Sequence, residues 1–171
     1  METSPKKYSG KELEDLTRFS LQKRGVQLDD IAILVYELQK DYIDDLSHQK
    51  CLESVESVLK KREVQNAVFT GICLDELGEK DLLPSPLLDM LKKDDGLYGI
   101  DEVLALSITN IYGTIGLTNF GYLDKIKIGI IAEINRKKKE TVNTFLDDLV
   151  AAIAAAAAAR LAHQQRDGEE D

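Results

Sequence analysis

Apolar residues recur at helical spacing along almost the whole chain, and no segment shows the strict alternation of a half-buried strand. Ser9 caps a first helix from Gly10–Lys11, with Leu13, Leu16, Phe19 and Leu21 as its apolar stripe and Gly25 as its stop. Asp29 and Asp30 lead a second, carrying Ile31, Ile33, Leu34, Val35, Tyr36 and Leu38. Ser47 starts a third, with Cys51, Leu52, Val55 and Val58–Leu59 on one face. A fourth, from Lys61 to Leu77, turns Val64, Ala67, Val68, Ile72 and Leu77 inward and either continues the third or breaks from it.

Pro84 and Pro86 mark a boundary, and Pro86 suits the start of a short helix to Lys93. A helix then runs from about Asp101 to Tyr112. Residues 113–121 hold three glycines and read as a connection, with Gly113 to Gly116 as a turn. Another helix spans roughly 122–136, and a basic turn follows. The last helix begins at a cap, Asn143 or Thr144, and is apolar on every side: between Phe145 and Ala159 the only polar side chains are Asp147 and Asp148. Such a helix is surrounded by protein. The expected architecture is therefore all-α: a single domain over 1–171, with a central alanine-rich helix ringed by about five amphipathic ones. Residues 1–8 and 167–171 are expected to fray.

Length and composition agree with one domain and a sizeable core: 171 residues, 43% hydrophobic and 31% charged. The net charge of -9 argues against nucleic-acid binding, which needs a basic face, and limits membrane contact to the peripheral kind. There is no signal pattern and no apolar run of membrane-spanning length, so a cytoplasmic location is expected. Cys51 and Cys73 lack metal or redox spacing. An all-apolar helix ringed by short amphipathic ones also leaves an apolar face over, which points to a homo-oligomer.

Three acidic points, Asp101-Glu102, Asp124 and Asp147-Asp148, recur at about equal intervals near the expected helix starts. If each helix runs out and each link runs back, they gather at one end; tight antiparallel turns would scatter them. Gathered carboxylates without His or Cys suit a hard cation such as Mg²⁺. Lys125 and Lys127 could then hold the oxygens of a phosphate ester. The plainer reading makes the acids partners of helix dipoles and the lysines solvated.

Three segments carry a resemblance. Gly99-Ile-Asp101-Glu102-Val103-Leu104-Ala105, Leu123-Asp124-Lys125-Ile126-Lys127 and Phe145-Leu146-Asp147-Asp148-Leu149-Val150-Ala151 resemble, in order, the Asp-Glu, Leu-Asp-x-x-Lys-Pro and Asp-Asp-x-Val-Ala elements of phosphatidylglycerophosphatase A. The match spans about 98–162. The whole chain, including Lys61 to Ala67 and Thr70-Gly71, looks like the soluble branch of that family, low-temperature requirement protein C. The resemblance implies a Mg²⁺-dependent phosphatase converting phosphatidylglycerophosphate to phosphatidylglycerol. Carried over by position, it implies a site of Asp101, Glu102, Asp124, Lys125, Lys127, Asp147 and Asp148. The expected roles are metal ligands among Asp101, Glu102, Asp147 and Asp148, with Lys125, Lys127 and, outside the matched elements, Arg62 on the phosphate, and Asp124 either as a further ligand or orienting a lysine.

The chain departs from the family at Ile128, where the element has proline, and lacks a Pro-Gly-Thr-x-Gly-Ser element and membrane-spanning segments. Those departures keep open a soluble phosphate ester as substrate, and a non-catalytic helical module as the rival class. Arg62, Asn66 and Thr70 share a helical face that also reads as solvated or interhelical. Neither cysteine is followed six positions later by arginine, and no Asp-x-Asp or P-loop element occurs, which excludes those phosphoryl chemistries.

Overall fold

The computed structural model describes residues 5–169. Its elements are α1 (Gly10–Lys23), α2 (Leu28–Gln39), α3 (His48–Leu59), α4 (Arg62–Glu79), α5 (Leu87–Lys93), α6 (Ile100–Thr109), α7 (Gly113–Ile126), α8 (Gly129–Arg136) and α9 (Leu146–Glu169). Short 3₁₀ turns at 110–112 and 137–139 complete the set, and no strand occurs among the described residues. Several predicted caps form. The Ser9 hydroxyl accepts from the Glu12 amide, and the Glu12 carboxylate accepts from the Ser9 amide, closing a capping box. The Ser47 hydroxyl accepts from the Lys50 amide at the start of α3.

Helix α9 is the axis of the molecule and packs against α2, α3, α4, α6, α7 and α8. Its residues Ala154–Ala159 are all fully buried. Methyl side chains let neighbouring backbones come close. The Ser54 hydroxyl of α3 thus donates to the Ala157 carbonyl inside α9, at 2.8 Å. The helix is apolar all round because protein surrounds it, as the sequence implied.

Three sequence expectations are corrected. The inward face of α1 is Glu14, Thr17 and Leu21, whereas Leu16 and Phe19 are 41% and 62% exposed. Polar groups can occupy that face because each is satisfied. The Glu14 carboxylate pairs with Arg18 at 2.9 Å, Arg18 reaches Glu56 of α3 at 3.1 Å, and the Thr17 hydroxyl donates to the Leu13 carbonyl. Second, 113–121 is helix α7 and not a connection, and the expected helix over 122–136 is two pieces, the end of α7 and then α8. Only Gly113 serves the turn, with φ +72 where other residues are strained. Third, 167–169 continue α9; residues 1–4 and 170–171, also expected to fray, lie outside the described residues.

Helices α6 and α7 form an antiparallel hairpin along α9. Its closed end, at Tyr112, touches His163 late in α9, where the imidazole lies 3.3 Å from the Tyr112 carbonyl. Its open end carries Asp101 and Asp124, both of which act electrostatically on Asp148 in the first turn of α9. The acids converge, therefore, by the tight antiparallel turn that the sequence reading expected to scatter them. Asp124 lies at the end of its helix and not the start, and that reversal is what makes the hairpin work.

Candidate active site

The first turn of α9 is held by a residue that the sequence did not single out. Asp75 of α4 is fully buried and accepts hydrogen bonds from the Phe145 amide (3.1 and 3.2 Å) and the Leu146 amide (3.0 Å). It caps α9 from another helix. Neither of the expected local caps does so: the Thr144 hydroxyl donates to the Leu91 carbonyl, and Asn143 is bound to Arg24, Ile134 and Thr141. Burial pushes the Asp75 carboxyl up to about 7, with the nearby Asp147 charge adding to the effect against the two amide bonds.

Immediately after this cap come Asp147 and Asp148, 2% and 5% exposed. Asp147 Oδ2 receives two ammonium groups, Lys127 Nζ at 3.3 Å and Lys138 Nζ at 3.0 Å. Asp147 Oδ1 is buried with no hydrogen-bond partner. Lys127 also binds Asp124 at 2.9 Å, and Lys138 binds Asp94 at 2.7 Å. Burial works against charge on both lysines, yet the carboxylates around them prevail and hold both pKa values above the ordinary range.

Asp148 has no lysine at hydrogen-bond distance among the described residues. Burial, then the charges of Asp147, Asp124 and Asp101, push its carboxyl up to about 9. Asp101 is raised too, by burial first and then by Glu102 and Asp94. The structure thus brings together Asp101, Asp124, Asp147, Asp148 and Lys127 from the expected set. It adds Lys138, Asp94 and Asp75. Lys138 came into view in the sequence only as part of a basic run, because its tertiary partner is remote in the chain.

Three expected residues are not brought in. Glu102 is exposed in the first turn of α6 and contributes its charge next to Asp101. Lys125 is exposed at the last turn of α7. Arg62 is exposed at the opposite end of α4 from Asp75, thirteen residues or about 20 Å away along the helix axis. Its neighbour Lys61 lies over the ring of Tyr112, at the closed end of the hairpin. The solvated-face reading of Arg62, Asn66 and Thr70 holds, since all three are exposed.

Among the described residues no three acidic, His or Cys side chains are close enough to form a ready-made metal cage. The donors nonetheless suit a hard cation in kind. They are carboxylates only, one has a buried unpartnered oxygen, and another, Asp148, is raised to about 9 by burial first and then by its acidic neighbours. A cleft of about 480 Å³ lined by Glu79, Lys92, Lys138, Glu140, Thr141 and Val142 opens beside Lys138.

Known proteins match this chain over most of its length. A family model described as PgpA, phosphatidylglycerophosphatase A, matches residues 20–163. The uncharacterized proteins YpjQ and YutG of Bacillus subtilis (strain 168) are each 53% identical. They align with 97% and 92% of this chain and with 93% and 95% of their own lengths. The crystal structure of low temperature requirement C protein from Listeria monocytogenes superposes with a TM-score of 0.87 at 56% identity, covering 90% of this chain and 97% of that one. A protein of unknown function from Bacillus stearothermophilus gives the same score at 55% identity, covering 89% of this chain and 94% of that one.

Proposed function

The chain belongs to the phosphatidylglycerophosphatase A family, and we propose on that premise that it is a Mg²⁺-dependent phosphoric monoester hydrolase whose substrate is phosphatidylglycerophosphate. The observation that carries the reading is the buried Asp147-Asp148 pair, with one unpartnered oxygen, beside two lysines. Asp101, Asp124, Asp147 and Asp148 outnumber the two ammonium groups beside them, Lys127 and Lys138, and burial and mutual repulsion push the Asp148 carboxyl up to about 9, an arrangement that a bound cation would relieve.

Asp147 and Asp148 would hold the ion, with Asp101 and Asp124 beside them; when bound, Mg²⁺ polarises phosphoryl oxygens and acidifies water. Lys127 and Lys138 bind the equatorial oxygens of the phosphate, where charge builds during displacement. Asp124 and Asp94 each hold one of the two ammonium groups in addition to Asp147, so that both stay oriented as substrate enters. Burial and the neighbouring acids raise the Asp148 carboxyl to about 9, so a cation held there would displace a proton from it.

The test is phosphate release from phosphatidylglycerophosphate in detergent micelles, compared with glycerol 3-phosphate, with and without Mg²⁺. Mg²⁺-dependent release from the lipid alone is expected. Release from the soluble ester alone would move the substrate class. No release from either, with no effect of Mg²⁺ on melting, would leave a non-catalytic module.

A further inference from the structure

Lys138 and the Asp147-Asp148 pair lie on one stretch of chain, yet residues 140–145 between them belong to no helix. What holds this stretch in place comes from other elements. Three of its backbone amides are taken by two carboxylates one turn apart on α4. Glu79 accepts from the Val142 amide at 3.1 Å, and Asp75, four residues earlier, accepts from Phe145 and Leu146.

The Val142 carbonyl is held by Arg24, the residue just after α1. Arg24 Nη2 lies 2.6 Å from Glu79 Oε1, 2.7 Å from the Val142 carbonyl and 2.6 Å from Asn143 Oδ1. The Asn143 carboxamide in turn donates to Thr141 Oγ1 at 2.7 Å and to the Ile134 carbonyl of α8 at 3.4 Å. Arg24 therefore reaches both ends of the loop that carries Lys138. It holds the far end directly, at Val142, and the near end through Asn143. The Arg24 side chain is only 9% exposed. An ion pair this sheltered adds little net stability, because desolvating the charges offsets most of their attraction. What it supplies is direction: planar guanidinium donors meet oxygens from two separate parts of the chain.

We propose that Arg24 is a positioning residue for phosphoryl transfer: with Glu79 it fixes the loop from α8 to Asn143 and so sets where Lys138 stands against Asp147 and Asp148. The role rests on the phosphatase reading above. Lys138 Nζ meets Asp147 Oδ2 at 3.0 Å and Asp94 at 2.7 Å. Those contacts align the ammonium group, and the Arg24 clamp keeps the backbone beneath it from drifting. Its effect on the site passes through the loop, since its hydrogen-bond partners are Glu79, Val142 and Asn143.

Steady-state kinetics at saturating Mg²⁺ test this on wild type, Arg24→Met, Arg24→Lys and Arg18→Met. The substrate is whichever of phosphatidylglycerophosphate and glycerol 3-phosphate the wild type hydrolyses. Arg18 is the control, a part-buried arginine of α1 whose acidic partners, Glu14 and Glu56, lie on α1 and α3. A displacement of about 1 Å in a catalytic group costs about 100-fold in rate, so Arg24→Met is expected to lower kcat by about that factor with KM within a few-fold. Arg24→Lys keeps a charged donor and should recover part of the loss, while Arg18→Met should keep its kcat. Denaturant unfolding of each variant sets the change in kcat beside the change in stability. A kcat for Arg24→Met within a few-fold of wild type would overturn the proposal. So would equal losses in Arg18→Met and Arg24→Met, since any broken ion pair would then serve. If Arg24→Met does not fold, Arg24→Lys decides: a lowered kcat at an unchanged unfolding midpoint supports the role, and wild-type kinetics overturn it. A wild type that hydrolyses neither ester overturns the catalytic reading and this role with it, whereas an active wild type with an unaffected Arg24→Met overturns the role alone.

Discussion

At the scale of single residues, Asp75 does two jobs that pull on its charge in opposite directions. Its carboxylate oxygens satisfy the Phe145 and Leu146 amides in a dry interior, and Ala in its place would orphan both. An unmet buried donor costs about 1–3 kcal/mol, so Asp75→Ala should lose several degrees of melting temperature, while Asp75→Asn retains an acceptor and loses less. Because burial raises this carboxyl from 3.8 to about 7, the folded chain holds a proton that the unfolded chain releases. The group's contribution to stability is fully present below about pH 4 and is lost as pH rises through 7. A melting series from pH 4 to 8 should therefore slope downward in part through Asp75, and Asp75→Asn should flatten it. Among the lysines, position in the fold decides the outcome. Lys138→Met is expected to lower kcat by about 100-fold through loss of an oxyanion partner, whereas Lys125→Met should stay within a few-fold of wild type. Equal losses at the two lysines would show that Lys138 has no special part.

Among the elements, the contact of α4 with α9 is the tightest constraint on the site. It occurs at Gly71. A Cβ there would lie 2.6 Å from Leu149 Cδ1 and 3.0 Å from Phe145 Cβ, on either side of the two acids. Gly71→Ala should push α4 away from the first turn of α9, costing about 1–3 kcal/mol by overpacking. It should also lower activity by more than the stability loss explains, since the Asp75 cap moves with α4. Denaturant unfolding and kcat measured on the same preparation would check both. The hairpin makes a related point about elements. Two short helices joined by a tight turn at Gly113 place Asp101 and Asp124 together at the open end, although each lies at a different kind of helix terminus. Equal spacing along the chain suggested convergence, but the route to it is a reversal and not a parallel return.

For the whole molecule, a real cation site should appear as linkage between Mg²⁺ and folding. At about 100 times its Kd, a ligand bound only by the folded state stabilises by about 2.7 kcal/mol, which for a chain of this size raises the melting temperature by about 5–10 °C. Asp148→Asn should abolish that rise. Without cation the same variant should melt higher than wild type at pH 8, because the Asp148 carboxyl, raised to about 9, costs stability as pH climbs from about 4 through 9. Mg²⁺ added to weakly buffered wild type near pH 7.5 should also release protons, and little or none from Asp148→Asn. What the sequence alone determined was the all-α class, the starts of α1, α3 and α5, and the buried alanine helix with Asp147 and Asp148 at its beginning, because periodicity, capping and an apolar run are local properties of the chain. Only the tertiary structure decided which of those charges meet. Lys138 in place of Lys125, Asp75 as the cap of α9, and Arg62 at the far end of α4 depend on which helix lies beside which and in what direction. Contacts between residues 70 apart leave no local trace in the chain, since the free energy that selects them comes from packing around α9 and from pairing buried charge.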